Sequence, residues 1–122
     1  MEGPTARASV EAMLRGAADG VCGHGKPRGC LMVLAGINCA PPNKGIEDYL
    51  RRQRATREKV IKQRLRRGID EGDLPPSADI HTLAAFYASV ADGMAIRARD
   101  GASRKSLGAI VKCAMAAWDN LL

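Results

Sequence analysis

Apolar residues recur three and four positions apart along most of this chain, the period of a helix with one buried face. Val10, Met13, Leu14, Ala17, Ala18 and Val21 form the first such stripe, which predicts a helix over about 6–21 with Gly20 and Gly23 supplying its end. A Gly- and Pro-rich loop follows over roughly 23–29. Residues 30–40, CLMVLAGINCA, are an unbroken apolar run whose period does not separate a buried strand from a buried helix. Every other segment reads as helical, so a lone strand would have no sheet to join; a helix is predicted, stopped by Pro41 and Pro42. Asn43 suits an N-cap, and Glu47 and Asp48 suit the early turns of a long helix running to about Asp70, with Gly72 placed to close it. Asp73 to Pro76 form a turn. Ser77 or Asp79 then caps a fourth helix, on which Ile80, Leu83, Ala84, Tyr87, Val90, Ala91, Met94 and Ala95 share a face, and Gly101 ends it. Ser103 caps the last helix, with Leu107, Ile110, Val111, Ala114, Trp118 and Leu121 in register. The pattern therefore predicts an all-α fold, a bundle of five helices in a single domain over 1–122, whose last two helices form a hairpin.

Composition agrees. At 122 residues and 13.0 kDa, the chain holds material for one core. Aromatic residues are only 3%, so that core must be built from Ala, Leu, Ile, Val and Met, and Ala, Leu and Met favour helices. No apolar run approaches the ~20 residues that span a bilayer. The start, Met1-Glu2-Gly3-Pro4, does not resemble a signal peptide, so a cytoplasmic protein without membrane association is expected.

Charge is concentrated in one place. The segment 51–67 holds nine Arg or Lys against Glu58 alone and carries +8 of a chain total of +6, leaving −2 for the rest. Such a stripe can bind a phosphate backbone, but no base-reading motif accompanies it, and a solvated or partner-facing helix is the simpler reading. Cys22, His24 and Cys30 are close enough to suggest zinc, yet their spacing fits no standard site and a fourth ligand is not evident. Cys22, Cys30, Cys39 and Cys113 are expected as reduced thiols, and no metal or cofactor is expected. His24 and His81 are the only imidazoles, one in a Gly loop and one near a helix start; without a nucleophile elbow or a phosphate-cradling loop, no enzyme is expected.

Several blocks do carry a resemblance. Arg28-Gly29-Cys30-Leu31-Met32-Val33, the basic helix through Arg64, the block EGDLPP from Glu71 to Pro76, then Asp79, the run GMAIRARDGAS from Gly93 to Ser103, and Trp118 together resemble the C-terminal ligand-binding and dimerisation domain of TetR-family transcriptional repressors. The resemblance spans nearly the whole chain. It implies an all-helical domain whose last two helices form a four-helix interface with a second subunit, and a pocket for a small effector among the earlier helices. Effector binding would release DNA in the intact protein. Nothing here corresponds to the family's helix-turn-helix, so DNA contact would belong to a domain missing from this chain. The alternatives are a stand-alone helical adaptor and a nucleic-acid binder that uses the basic helix.

Candidate residues follow from the patterning. Arg51, Arg52, Lys59, Lys62 and Arg66 lie opposite Ile46, Leu50 and Ile61 and should face water, whereas Arg57 and Arg64 fall on the apolar side. A buried Arg is costly unless paired. Either meets an anionic group of an effector, pairs with an internal acid, or snorkels at the edge of the core. Met13, Met32, Tyr49, Arg57, Phe86 and Tyr87 are the candidate ligand-binding residues, with plain core packing as the alternative for each Met and aromatic. Two helices cannot bury both of their apolar flanks alone, which motivates a homodimer through Ala84, Ala88, Ala91, Ala95, Ile110, Ala114, Ala117 and Trp118. The alternative is that the earlier helices cover those flanks within one subunit.

Overall fold

The computed structural model describes residues 1–23, 29 and 44–122, and among these every regular element is helical. The four helices are α1 (Ala6–Val21), α2 (Lys44–Glu71), α3 (Ile80–Arg99) and α4 (Arg104–Ala116), followed by one 3-10 turn at Trp118–Asn120. The helix expected over 30–40, its Pro41–Pro42 stop and its neighbour's Asn43 cap lie outside the described residues.

The boundaries follow local chemistry. Thr5, Asp79 and Ser103 stand at three helix starts, and their side-chain oxygens accept from the otherwise unpaired amides of Ala8, of His81 and Thr82, and of Ser106. Asp79, rather than Ser77, is thus the cap of α3, and the bonds from Thr82 hold its carboxyl below the ordinary value. Gly72 and Gly101 take φ of +84° and +98°, the left-handed conformation that closes a helix. The wrap-around bonds of that motif are present: Asp73 N–H to Gly68 C=O and Ala102 N–H to Arg97 C=O, each 2.9 Å. At the end of α1 it is Gly23, not Gly20, that adopts positive φ (+94°), and the helix runs through Gly20.

α3 packs against each of the other three helices, and α1 lies across both α3 and α4. The closeness rests on small side chains: Ala84, Ala88, Ala91, Ala95 and Ala98 form a continuous buried seam along α3. Bulk is supplied by Leu14, Ile61, Leu65, Tyr87, Met94 and Leu107, all essentially inaccessible. Tyr87 sits against Phe86 edge-on (centroids 5.0 Å) and against Trp118 (5.5 Å), and its hydroxyl donates to the Ala114 carbonyl at 3.2 Å. Burial of α2 is concentrated in its second half, through Ile61, Arg64, Leu65 and Gly68. In its first turns only Leu50 is covered, and Ile46, expected on the apolar face, is 56% exposed.

Gly68 shows how tight the α2–α1 approach is. A Cβ there would lie 2.5 Å from Asp73 Oδ1 and 2.9 Å from Ala6 Cβ, whereas one at Gly16 would meet nothing within 4 Å. Gly68→Ala is therefore expected to lower the unfolding free energy by about 1–3 kcal/mol despite better helix propensity. Gly16→Ala should raise it by roughly 0.5–1 kcal/mol. Urea denaturation of the two variants checks both signs.

Candidate effector cleft

Two arginines on the same side of α2, seven residues apart and so about 10 Å along the axis, have different surroundings. Arg64 is withdrawn into the structure with 2% of its side chain exposed. Its Nε donates to Ser9 Oγ at 2.9 Å and one Nη donates to the Gly3 carbonyl at 3.3 Å, tying α2 to the arm that precedes α1. Glu71 and Asp73 stand 3.7 and 3.9 Å from the guanidinium, and Nη1 makes no hydrogen bond. Asp73 also accepts from the Ala6 amide at the first turn of α1. The charge is thus matched by two acids, and Ser9 supplies the one short bond.

Arg57 is only partly covered, and its Nη1 donates to Asp92 Oδ1 on α3 at 2.7 Å. Burial raises the Asp92 carboxyl above its ordinary value, with Arg57 and Arg54 pulling the other way. Beside this pair, a cleft of about 360 Å³ opens between α1, α2 and α3, lined by Ala17, Gly20, Val21, Gly29, Arg57, Ala91 and Ala95. Its size lies at the lower end of the roughly 300–1,000 Å³ of small-molecule sites. Among the described residues, every lining residue except Arg57 lacks a polar side chain.

Of the candidate ligand-binding residues, Arg57 is at this cleft. Tyr87 is a core residue whose hydroxyl is already bonded, and burial pushes its phenol up to about 12. Phe86 and Met13 are half-buried against the core, and Met32 lies outside the described residues. Tyr49 is 55% exposed on the sparsely covered first half of α2, so the core-packing alternative does not hold for it. Among the residues assigned to a dimer contact, Ala84, Ala91 and Ala95 are covered inside the chain, and Ala88, Ala114 and Trp118 nearly so. That seam serves close approach within the chain, because an alanine stripe reads the same whichever neighbour covers it. Ile110 and Ala117 keep partial exposure, and Phe86, Val90 and Ile96 add apolar surface on the outer side of α3. The lining residues Ala17, Gly20 and Val21 had only their place on the α1 stripe, or their lack of a side chain, to mark them. The basic residues Arg51, Arg52, Lys59 and Arg66 face water as expected, whereas Lys62 is half-covered. His81 is exposed, and among the described residues no group of three His, Cys, Asp or Glu could hold a metal ion. Nor is any described helix long and apolar enough to cross a membrane.

The family model described as "Tetracyclin repressor-like, C-terminal domain" matches residues 6–114. This chain belongs to the TetR family. The family is one of transcriptional regulators rather than enzymes. The HTH-type transcriptional repressor ComR of Escherichia coli (strain K12) is 31% identical over 96 residues, covering 79% of this chain and 46% of ComR. The TetR family transcriptional regulator CifR, solved as a cysteine mutant with 26-base-pair operator DNA, is 37% identical, with a TM-score of 0.92 over 95% of this chain and 61% of CifR. A second CifR cysteine mutant on the same DNA gives 36% identity and the same TM-score. The chain thus spans about half the length of the curated repressor it matches.

Two outcomes follow from the packing. Ser9→Ala leaves the buried Arg64 Nε without its acceptor and should cost about 1.5–3 kcal/mol, read from chemical denaturation. Tyr87 bears on alkaline stability. Because its folded value of about 12 exceeds the ordinary 10.0, its contribution is complete below pH 10 and is lost as pH rises through 12. Tyr87→Phe should remove that part of the alkaline loss, with unfolding followed from pH 9 to 12.

Proposed function

We propose that this domain senses a small molecule and holds two copies of the chain together, as the effector-binding and dimerisation part of a TetR-type repressor. The observation that carries the reading is the cleft beside the Arg57–Asp92 pair, which sits where α1, α2 and α3 meet. An occupant would bear on three helices at once, and binding energy that differs between two arrangements of them is what shifts a conformational equilibrium. DNA contact would be made by the region that longer relatives carry outside the matched part; CifR was solved on operator DNA and ComR is named a repressor. Release of DNA on effector binding then follows from a change in the spacing of two reading heads. The pairing surface would be the outer side of the α3–α4 hairpin, where Phe86, Val90, Ile96 and Ile110 leave apolar area uncovered.

Sedimentation equilibrium at micromolar concentration tests the pairing. The expected mass is twice the 13.0 kDa of one chain, and Ile96→Glu should return it to one. A wild-type chain that sediments as a monomer contradicts the pairing.

A further inference from the structure

We infer that the cleft between α1, α2 and α3 takes a small carboxylate with an apolar body, held at its charged end by Arg57. The inference rests on the effector-binding reading and names the ligand class. A guanidinium donates hydrogen bonds and accepts none. The remaining described walls, among them Ala17, Val21, Ala91 and Ala95, offer aliphatic surface and no polar side chain. The complement of such a lining is a molecule that is apolar along its length and carries one acceptor group. A planar anion matches a guanidinium best, because two parallel N–H donors meet two oxygens. The structure already holds an example: Asp92 Oδ1 rests on Arg57 Nη1 at 2.7 Å. Asp92 keeps 30% of its side chain exposed, so water can hold its carboxylate when a ligand carboxylate takes over that donor. Its place on α3 makes the exchange felt there, since loss of the Arg57–Asp92 bond removes a tie between α2 and α3.

Gly20 gives the means of testing the cleft apart from its charge. It is exposed on α1 and lines the cleft, and a Cβ there would meet nothing within 4 Å, so a larger side chain enters open space. Replacing a helical Gly also improves helix propensity, so Gly20→Leu should remain folded.

The experiment is calorimetric titration of the 122-residue chain with hexanoate, methyl hexanoate and 1-hexanol, on wild type and on Arg57→Met, Arg57→Lys and Gly20→Leu, each variant checked for its helical spectrum. Hexanoate is expected to bind wild type at least about tenfold more tightly than the ester or the alcohol. Arg57→Met should erase that preference, Arg57→Lys should keep part of it, and Gly20→Leu should abolish binding of all three. If the neutral probes bind as well as hexanoate and Gly20→Leu still blocks them, the cleft reading stands and the carboxylate inference falls. If hexanoate binds equally to wild type and Arg57→Met, the inference likewise falls. If no probe binds, or Gly20→Leu changes nothing, the cleft itself is not the site and both readings fall.

Discussion

The alanine seam of α3 is the constraint on which the rest of the fold depends. Ala84, Ala88, Ala91, Ala95 and Ala98 alternate at steps of four and three, so their Cβ atoms line one side of the helix for nearly its full length. Small side chains let neighbouring backbones come close, and α3 accordingly contacts all three other described helices. The same choice leaves space beside it among the described residues: Ala91 and Ala95 belong to the seam and also wall the cleft. Close packing below and a cavity above are two consequences of one run of methyl groups.

Against that seam, α2 works as a rod with two cationic contacts on one side. Arg64 fixes the end nearest the N-terminal arm through Ser9, Gly3 and the acids at and just past the helix end. A buried guanidinium matched by partly exposed acids adds little net stability, but removing its one short acceptor leaves a buried donor uncompensated. Arg57 is less deeply placed, with a short bond to Asp92 and water within reach of both. One contact is suited to holding a geometry and the other to exchanging it.

Much of this fold was legible in the sequence because helix ends are local. Asp79, Ser103, Gly72 and Gly101 marked real boundaries, and each acts through bonds within a few residues. The block EGDLPP also has a physical explanation: Gly72 supplies the left-handed turn, Asp73 accepts from the Ala6 amide and faces Arg64, and Leu74 enters the core. Placing Arg57 and Arg64 on the apolar side of α2 was sound, and both do meet internal acids. What the pattern did not reveal is which neighbour covers a given stripe. Alanines at 84, 91 and 95 suit a second subunit and their own α1 equally well, and the structure spends them inside the chain. The exposure of Tyr49 has a related reason: a residue's place on a helix face tells nothing about where along the helix its partners stop.

The central claim is that the alanine seam leaves a working cleft on α3. Methyl NMR of the alanines during titration with hexanoate tests it most directly, because the α1 and α3 walls of the site both carry such a probe. The account predicts shifts concentrated at Ala17, Ala91 and Ala95, with Ala84 and Ala114, deeper along the seam and on α4, nearly still. Shifts spread evenly over the seam, or confined to Ala109 and Ala116 on the exposed side of α4, would contradict it.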